Sequence, residues 1–185
     1  MRSSSLLSLA CAVWLGLVTA VAADQRDPRL DGLFRELRSV TNPVTARAVQ
    51  SEIWSIWMEV DDREVRLDML RGVRAMRLGR LDEAEGAFDA AIRRRPDFAE
   101  AWNQRATARY LAGRLAGSIA DIGAALSLEP RHFGALSGLG MSYDRLDDPA
   151  AALRSYEAAL AINPHLAGAR ERVEALRAQL AGAPI

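Results

Sequence analysis

The 185-residue chain contains no lysine, a single cysteine and no net formal charge, because its 24 cations are arginines balanced by 24 acidic residues. This balance argues against binding to nucleic acid, since nucleic-acid-binding domains carry a strongly basic patch. One cysteine, Cys11, excludes a disulfide within the chain and a cysteine-rich metal site. Hydrophobic residues make up 50% of the sequence and charged residues 26%, which is typical of a globular domain stabilised by its core.

The longest apolar run lies at the N-terminus, from Leu6 to Ala23, just after Arg2. Small residues precede two candidate cleavage points, one before Ala23 and one before Asp24, which is the pattern of a secretory signal peptide. We therefore predict a signal peptide over residues 1–23 and export to the bacterial periplasm. The run is also about as long as the ~17–25 residues that span a bilayer, so an uncleaved membrane anchor is the alternative.

Prolines reveal an internal repeat. Pro96, Pro130 and Pro164 are spaced by 34 residues. The same offset relates three further sets of residues: Ala91, Ala125 and Ala159; Phe88, Ile122 and Tyr156; Ala84, Ser118 and Ala152. A fixed period of this length is typical of stacked supersecondary units.

Each repeating unit has the pattern of two helices separated by a turn. In the second unit, Trp102, Ala106 and Tyr110 follow helical spacing, and Gly113 ends the first helix. In the third unit, Asp148 can cap the second helix, and a proline follows it at the first helical position. The sequence therefore predicts an all-α fold.

These motifs resemble the tetratricopeptide repeat family, whose unit carries Trp, Leu-Gly, Tyr, Ala, Phe and Pro at fixed positions. Trp102 fills the Trp position of the second unit, and "LGMSY" at residues 139–143 fills the Leu-Gly-x-x-Tyr segment of the third. The sequence departs from the family where Asp68 replaces Trp and where Arg71 and Arg105 replace Leu. The resemblance implies an α-solenoid, a right-handed superhelix of stacked antiparallel helix pairs.

The period divides the chain into repeats at residues 65–98, 99–132 and 133–166. Residues 24–64 contain two predicted helices, Pro28 to Val40 and Pro43 to Val60, which we interpret as a degenerate pair capping the first repeat. Residues 167–185 contain an amphipathic helix that covers the last repeat, as the end of a solenoid requires. Trp54 lies off the apolar stripe of the N-terminal pair, so it is predicted to pack against a neighbouring helix.

The resemblance also implies a function, because the first helices of such repeats line a concave face that binds peptides or partner proteins. Carried over by position, the predicted ligand-binding residues are Arg66, Met69, Val73, Met76, Arg77, Asn103, Thr107, Tyr110, Leu111, Ser137, Met141, Asp144 and Arg145. They do not reproduce the Lys and Asn set with which some family members hold a C-terminal carboxylate. The arginines at positions 63–80 are predicted to be mostly solvated or paired, with contact to an acidic partner as the alternative.

Sites for catalysis find little support. The glycine-rich stretch at residues 134–140 follows a helix rather than a strand, which speaks against a phosphate-binding loop. His132 and His165 lie at the seams between units and lack a nucleophile nearby in sequence. We predict no catalytic, cofactor-binding or metal-binding residues, and a scaffold that binds a protein or peptide. Nucleic acid and small-molecule substrates are not expected, and membrane contact is expected only through an uncleaved N-terminus. A self-associating or membrane-tethered subunit of an envelope complex is the alternative function.

Overall fold

The computed structural model describes residues 27–182, so the predicted signal peptide lies outside the described part of the chain. Within that range the chain forms nine helices and no strands. The helices are α1 (Pro28–Ser39), α2 (Pro43–Met58), α3 (Arg63–Arg77), α4 (Leu81–Arg94), α5 (Ala99–Leu111), α6 (Leu115–Leu128), α7 (Phe133–Arg145), α8 (Pro149–Ile162) and α9 (Ala167–Gly182). None of these described helices is long and apolar enough to cross a lipid bilayer.

Helices α3 to α8 form three hairpins, α3–α4, α5–α6 and α7–α8, and each hairpin packs on the next. The predicted all-α solenoid is confirmed. The three sets of residues at the 34-residue offset are all buried: Ala84, Ser118, Ala152, Phe88, Ile122, Tyr156, Ala91, Ala125 and Ala159. Small residues alternate with large ones along each second helix, so its large side chains pack into the space that small residues leave on the first helix.

The turns between paired helices share one backbone conformation. Gly79 and Gly113 have φ of 71° and 78°, and Asp147, at the equivalent position of the third repeat, has φ of 58°. Glycine adopts this left-handed region without steric cost, and Asp is among the residues that tolerate it. Asp148 then caps α8, since its side chain accepts a hydrogen bond of 2.9 Å from the backbone N–H of Ala151.

Ion pairs explain why charged residues stand where the family has Trp and Leu. Asp68, at the Trp position, is buried and accepts hydrogen bonds from Arg71 and Arg94. Arg105, at a Leu position, donates two hydrogen bonds of 2.9 and 2.6 Å to the carboxylate of Asp121. These bidentate contacts hold the helices of a repeat together where other members use apolar packing.

The network around Arg105 joins two repeats. Arg105 of α5 also binds Asp89 of α4, and Arg109 binds both Asp121 of α6 and Glu85 of α4. Burial lowers the pKa of Arg105, but its hydrogen bonds to Asp121 and Asp89 outweigh that effect and raise the pKa overall. The guanidinium of Arg105 is therefore a fixed cation between the first and second repeats.

The N-terminal pair lies elsewhere than predicted. The α1–α2 hairpin does not stack on α3 and α4 as a cap of the first repeat; α2 packs against α5 and the seam between later repeats. Its buried cluster includes Phe133 at the start of α7, with Ile162 and Leu166 packed beside it. Val49, Ile53, Ile56 and Trp57 form an apolar stripe on α2, which packs on the apolar surface where the repeats join.

At the other end, α9 packs on α8 and buries Ala169, Val173 and Leu176. This agrees with the predicted C-terminal helix, although Leu180, near its end, is 38% exposed. Residues 183–185 lie outside the described part of the chain.

Replacing Gly140 with alanine should destabilise the third repeat. A Cβ atom at Gly140 would lie 2.8 Å from three ring carbons of Tyr156, and overpacking of this kind costs about 1–3 kcal/mol. Gly123→Ala is the control, because its Cβ would meet nothing within 4 Å. Urea denaturation should show a lower free energy of unfolding for Gly140→Ala alone. Equal stability of the two variants would contradict the close packing at Gly140.

Removing the carboxylate of Asp121 should destabilise the fold more than Gly140→Ala does. Asp121→Ala removes the carboxylate that binds both Arg105 and Arg109, so Arg105, whose side chain is 12% exposed, keeps only Asp89 as a partner. Leaving a buried charge without any partner costs about 3–5 kcal/mol, which is the upper bound of the expected loss. The control is Asp82→Ala, which breaks an ion pair with Arg114 in which Asp82 is 92% exposed and should change stability little. Similar losses in the two variants would show that the Arg105 network does not join the repeats.

Candidate functional site

The first helices of the three repeats, α3, α5 and α7, carry all thirteen predicted ligand-binding residues. We call the part of this set that solvent reaches the first-helix surface: Arg66, Val73, Met76, Arg77, Thr107, Tyr110, Leu111, Met141 and Arg145. Leu111 and Met141 are 53% and 42% exposed. Large apolar side chains with this much exposure are candidates for contact with a partner.

The other four predicted residues are engaged inside the protein. Met69 is buried in the core of the first repeat, with Val60 and Val65. Asn103 is buried and donates a hydrogen bond to Glu100. Asp144 is bound internally, and Ser137 is partly buried with a fully buried hydroxyl oxygen. Burial and internal hydrogen bonds therefore reduce what these four side chains can offer to a ligand.

A small apolar cavity of about 60 Å³ opens between α5 and α7. Four predicted residues line it, Asn103, Thr107, Tyr110 and Met141, and the remaining lining residues are Ala106, Ser118, Ile122 and Gly138. Gly138 adds no side chain, which leaves the space between the two helices open. The volume of the cavity is enough for a small part of one apolar side chain.

A larger cleft of about 490 Å³ lies on the other side of α7, between α7, α8 and α9. It is lined by Ser137, Met141, Tyr156, His165, Leu166, Ala167, Gly168, Ala169 and Arg172. The hydroxyl of Ser137 has no hydrogen-bond partner among the described residues. Met141 lines both this cleft and the cavity between α5 and α7.

Arg145 lies beside the cavity, where it contacts Tyr110. The guanidinium of Arg145 donates a 2.8 Å hydrogen bond to the backbone oxygen of Tyr110 and lies 5.0 Å from the centre of the Tyr110 ring. This cation–π contact fixes the tyrosine beside the cavity. Arg77 is exposed, and no carboxylate between residues 27 and 182 forms an ion pair with Arg77 or Arg145.

Asp144 does not add a free negative charge to this surface. It accepts hydrogen bonds of 2.9 and 2.7 Å from Arg172 and one of 3.0 Å from the hydroxyl of Tyr156. Burial, followed by this hydrogen bond to a carboxylate, raises the pKa of Tyr156. The first-helix surface is therefore apolar with positive edges.

His132 is a structural residue at the seam between the second and third repeats. Its Nδ1 accepts a 3.1 Å hydrogen bond from the backbone N–H of Ala135, which caps α7. The Nε2 atom must then carry the proton, and it donates to Glu100 at 2.8 Å. Both side chains are fully buried, and the ring of Trp57 stacks on His132 with centroids 4.2 Å apart.

The sequence analysis missed Glu100 as the partner of this histidine. Phe98 and Leu166 occupy the positions equivalent to His132 in the other units. His132 is therefore a polar residue at a position where the other units have an apolar one. That signal predicts a buried polar partner but does not say which one. His165 donates from Nε2 to the backbone oxygen of Leu37 at 3.0 Å, so both histidines join repeats to other helices.

Across residues 27–182, no group of three His, Cys, Asp or Glu side chains is arranged to hold a metal ion. Asp147 and Asp148 have local structural roles in the turn before α8.

The repeat region of the sequence matches a known family. The tetratricopeptide repeat model matches residues 69–126, and a second match covers residues 133–166. A TPR repeat-containing protein of Rhizobium etli is 35% identical over 161 residues, covering 87% of this chain and 79% of the relative. Tetratricopeptide repeat protein 36 of Mus musculus is 46% identical over 59 residues, which is 32% of each chain.

Solved structures share the fold at low sequence identity. The first TPR domain of Spaghetti (RPAP3), bound to the HSP90 peptide SRMEEVD, has a TM-score of 0.63 at 22% identity, covering 66% of this chain and 98% of that one. MamA has a TM-score of 0.61 at 18% identity, and the match covers 83% of this chain and 82% of the MamA chain. Tetratricopeptide repeats are typically non-catalytic scaffolds for binding proteins or peptides. On its repeats, its fold and its extended match to the Rhizobium protein, the chain belongs to the tetratricopeptide repeat family.

Proposed function

We propose that the protein is a non-catalytic binding module that holds a segment of a partner protein on its first-helix surface. The observation that carries this proposal is the apolar cavity between α5 and α7, which is lined by exposed Met141 and by Tyr110, the residue that Arg145 contacts. Methionine and tyrosine adapt to partner side chains, and arginine is enriched at interfaces. Such a surface suits an extended or helical segment with at least one apolar side chain.

The charges on this surface favour an acidic segment. Arg77 and Arg145 lack carboxylate partners among the described residues, whereas Asp144 is neutralised by Arg172. A partner carboxylate beside either arginine would gain a charge-assisted hydrogen bond. The neighbouring Spaghetti domain binds a peptide with acidic residues. This chain lacks the Lys and Asn set for a terminal carboxylate, so we propose an internal acidic and apolar segment as ligand.

We also propose that the protein acts after export to the periplasm. The support is the apolar run from Leu6 to Ala23 with small residues before its end, and this segment lies outside the described residues. A partner in the cell envelope would follow from that location. A membrane-tethered or self-associating subunit is the competing proposal, supported by the same run if it is not removed.

The mass of the protein purified from its native host distinguishes these two proposals. We expect a mature chain that begins near Asp24, found in the soluble periplasmic fraction and monomeric by light scattering, because the run has the features of a cleaved signal. An intact N-terminus in the membrane fraction would favour the tethered subunit. A stable oligomer of the mature chain would favour the self-associating one.

The binding surface is tested by combining Arg77→Glu, Tyr110→Ala and Arg145→Glu. These changes reverse two edge charges and remove the ring beside the cavity, so capture of the envelope partner should fall at least tenfold. The control carries Arg93→Glu and Arg154→Glu, which reverse two exposed charges on second helices. Affinity purification followed by titration with the identified partner gives the comparison. Equal capture by the triple variant, with unchanged helicity, would show that the partner binds elsewhere.

A further inference from the structure

The α1–α2 hairpin packs on the repeats as a bound ligand would. Trp57 of α2 stacks on His132, and Trp54 contacts Phe133 edge to face with ring centroids 5.7 Å apart. A Cβ atom at Gly134 would lie 2.7 Å from the Trp54 ring, so this glycine makes room for the indole. Two aromatic side chains, three residues apart on one helix, are thus seated in a shaped site at the start of α7.

Polar contacts at the edge of this site fix the position of the hairpin. Gln50 of α2 donates a 3.2 Å hydrogen bond to Asn163 at the end of α8. Asp31 of α1 forms a 2.6 Å ion pair with Arg131, whose guanidinium also lies over the ring of Phe34. An apolar centre with a polar rim is the arrangement found at interfaces between proteins.

The repeats do not depend on this hairpin for their own cores. The three buried clusters within the repeats contain residues of α3 to α9, together with Val60 from the connection after α2. The residues of α1 and α2 belong to a separate cluster, which touches the repeats through Phe133, Ile162 and Leu166. Leu166 packs against both this cluster and the core of the third repeat, so few apolar residues link the two. A segment with few core contacts can open locally at a lower free energy than the whole fold.

The contact also contains polar atoms that it does not satisfy. Trp57 Nε1 and Asn163 Nδ2 are buried without a hydrogen-bond partner among the described residues. Leaving a buried donor unpaired carries a desolvation cost. When α2 leaves, its Trp57 Nε1 again donates a hydrogen bond to water, and a different helix that places an acceptor near Asn163 Nδ2 satisfies a donor that α2 leaves unpaired.

We propose that the surface beneath α2, formed by Glu100, His132, Phe133, Gly134, Asn163 and Leu166, is a second binding site. Its ligand is an amphipathic helix of a partner protein with aromatic residues at positions i and i+3. In the free protein α2 occupies the site, and the partner helix replaces it. This site is separate from the first-helix surface, and the inference does not rest on the proposed function of that surface.

The test uses a fluorescein-labelled synthetic peptide of residues 43–58 as the probe and the full chain as receptor. Trp54→Ala combined with Trp57→Ala weakens the hold of the resident α2 and leaves the surface beneath it unchanged. Fluorescence anisotropy should show at least tenfold tighter binding of the peptide to this variant than to the wild-type chain. A control peptide with both tryptophans changed to alanine should bind neither protein. If the double variant loses helicity, Trp54→Ala alone is the receptor.

A second arm shows that the peptide binds at the proposed surface. Adding Gly134→Ala to the receptor variant places a methyl group where the peptide's Trp54 ring must lie, so binding should fall at least tenfold. Gly123→Ala, with open space at its Cβ, should leave binding unchanged. Equal binding to wild type and variant, or no effect of Gly134→Ala, would overturn the proposal. If light scattering shows a stable wild-type dimer, the surface binds the α2 of a second copy. That result would overturn the proposal that a partner protein supplies the helix.

Discussion

The close approach of two helices within each repeat is the constraint on which the rest of the structure depends. At Gly140 the first helix has no side chain, and the ring of Tyr156 from the second helix fills that space. Gly72 and Phe88 make the equivalent contact in the first repeat. Because the same spacing recurs every 34 residues, each hairpin presents the same faces to its neighbours, and the hairpins stack. The stack brings α3, α5 and α7 side by side and so creates the first-helix surface.

Two further features distinguish this member of the family. Ion pairs replace part of the usual apolar packing, as Arg105 and Asp121 show, and they hold the repeats in a fixed relation. The α1–α2 hairpin lies along the seam between repeats, where Trp57 covers the His132–Glu100 pair. The chain therefore offers an open surface with positive edges and an occupied surface beneath α2, and the two suit ligands of different chemistry.

Periodicity predicted most of the fold because it records which side chains must be buried. It predicted the three helix pairs, and the local sequence predicted the helix end at Gly113 and the cap at Asp148. It could not place the α1–α2 hairpin, because an apolar stripe shows that a helix is covered and not what covers it. Position within the repeat likewise does not reveal burial: Met69 packs into the core of the first repeat, and Asn103 is buried although it lines the small cavity. Glu100, the partner of His132, lies 32 residues away in the chain. Only the structure shows that the two side chains meet.

We propose that the partner meets the exposed part of α5 and α7 beside Met141. Site-specific photo-crosslinking in cells tests it most directly, with benzoylphenylalanine placed at Met141 and, in a separate strain, at Arg93 on the second helix of the first repeat. Both positions are exposed, so both probes are accessible. We expect a crosslinked partner from Met141 and none from Arg93. A partner crosslinked from Arg93 and absent from Met141 would contradict it.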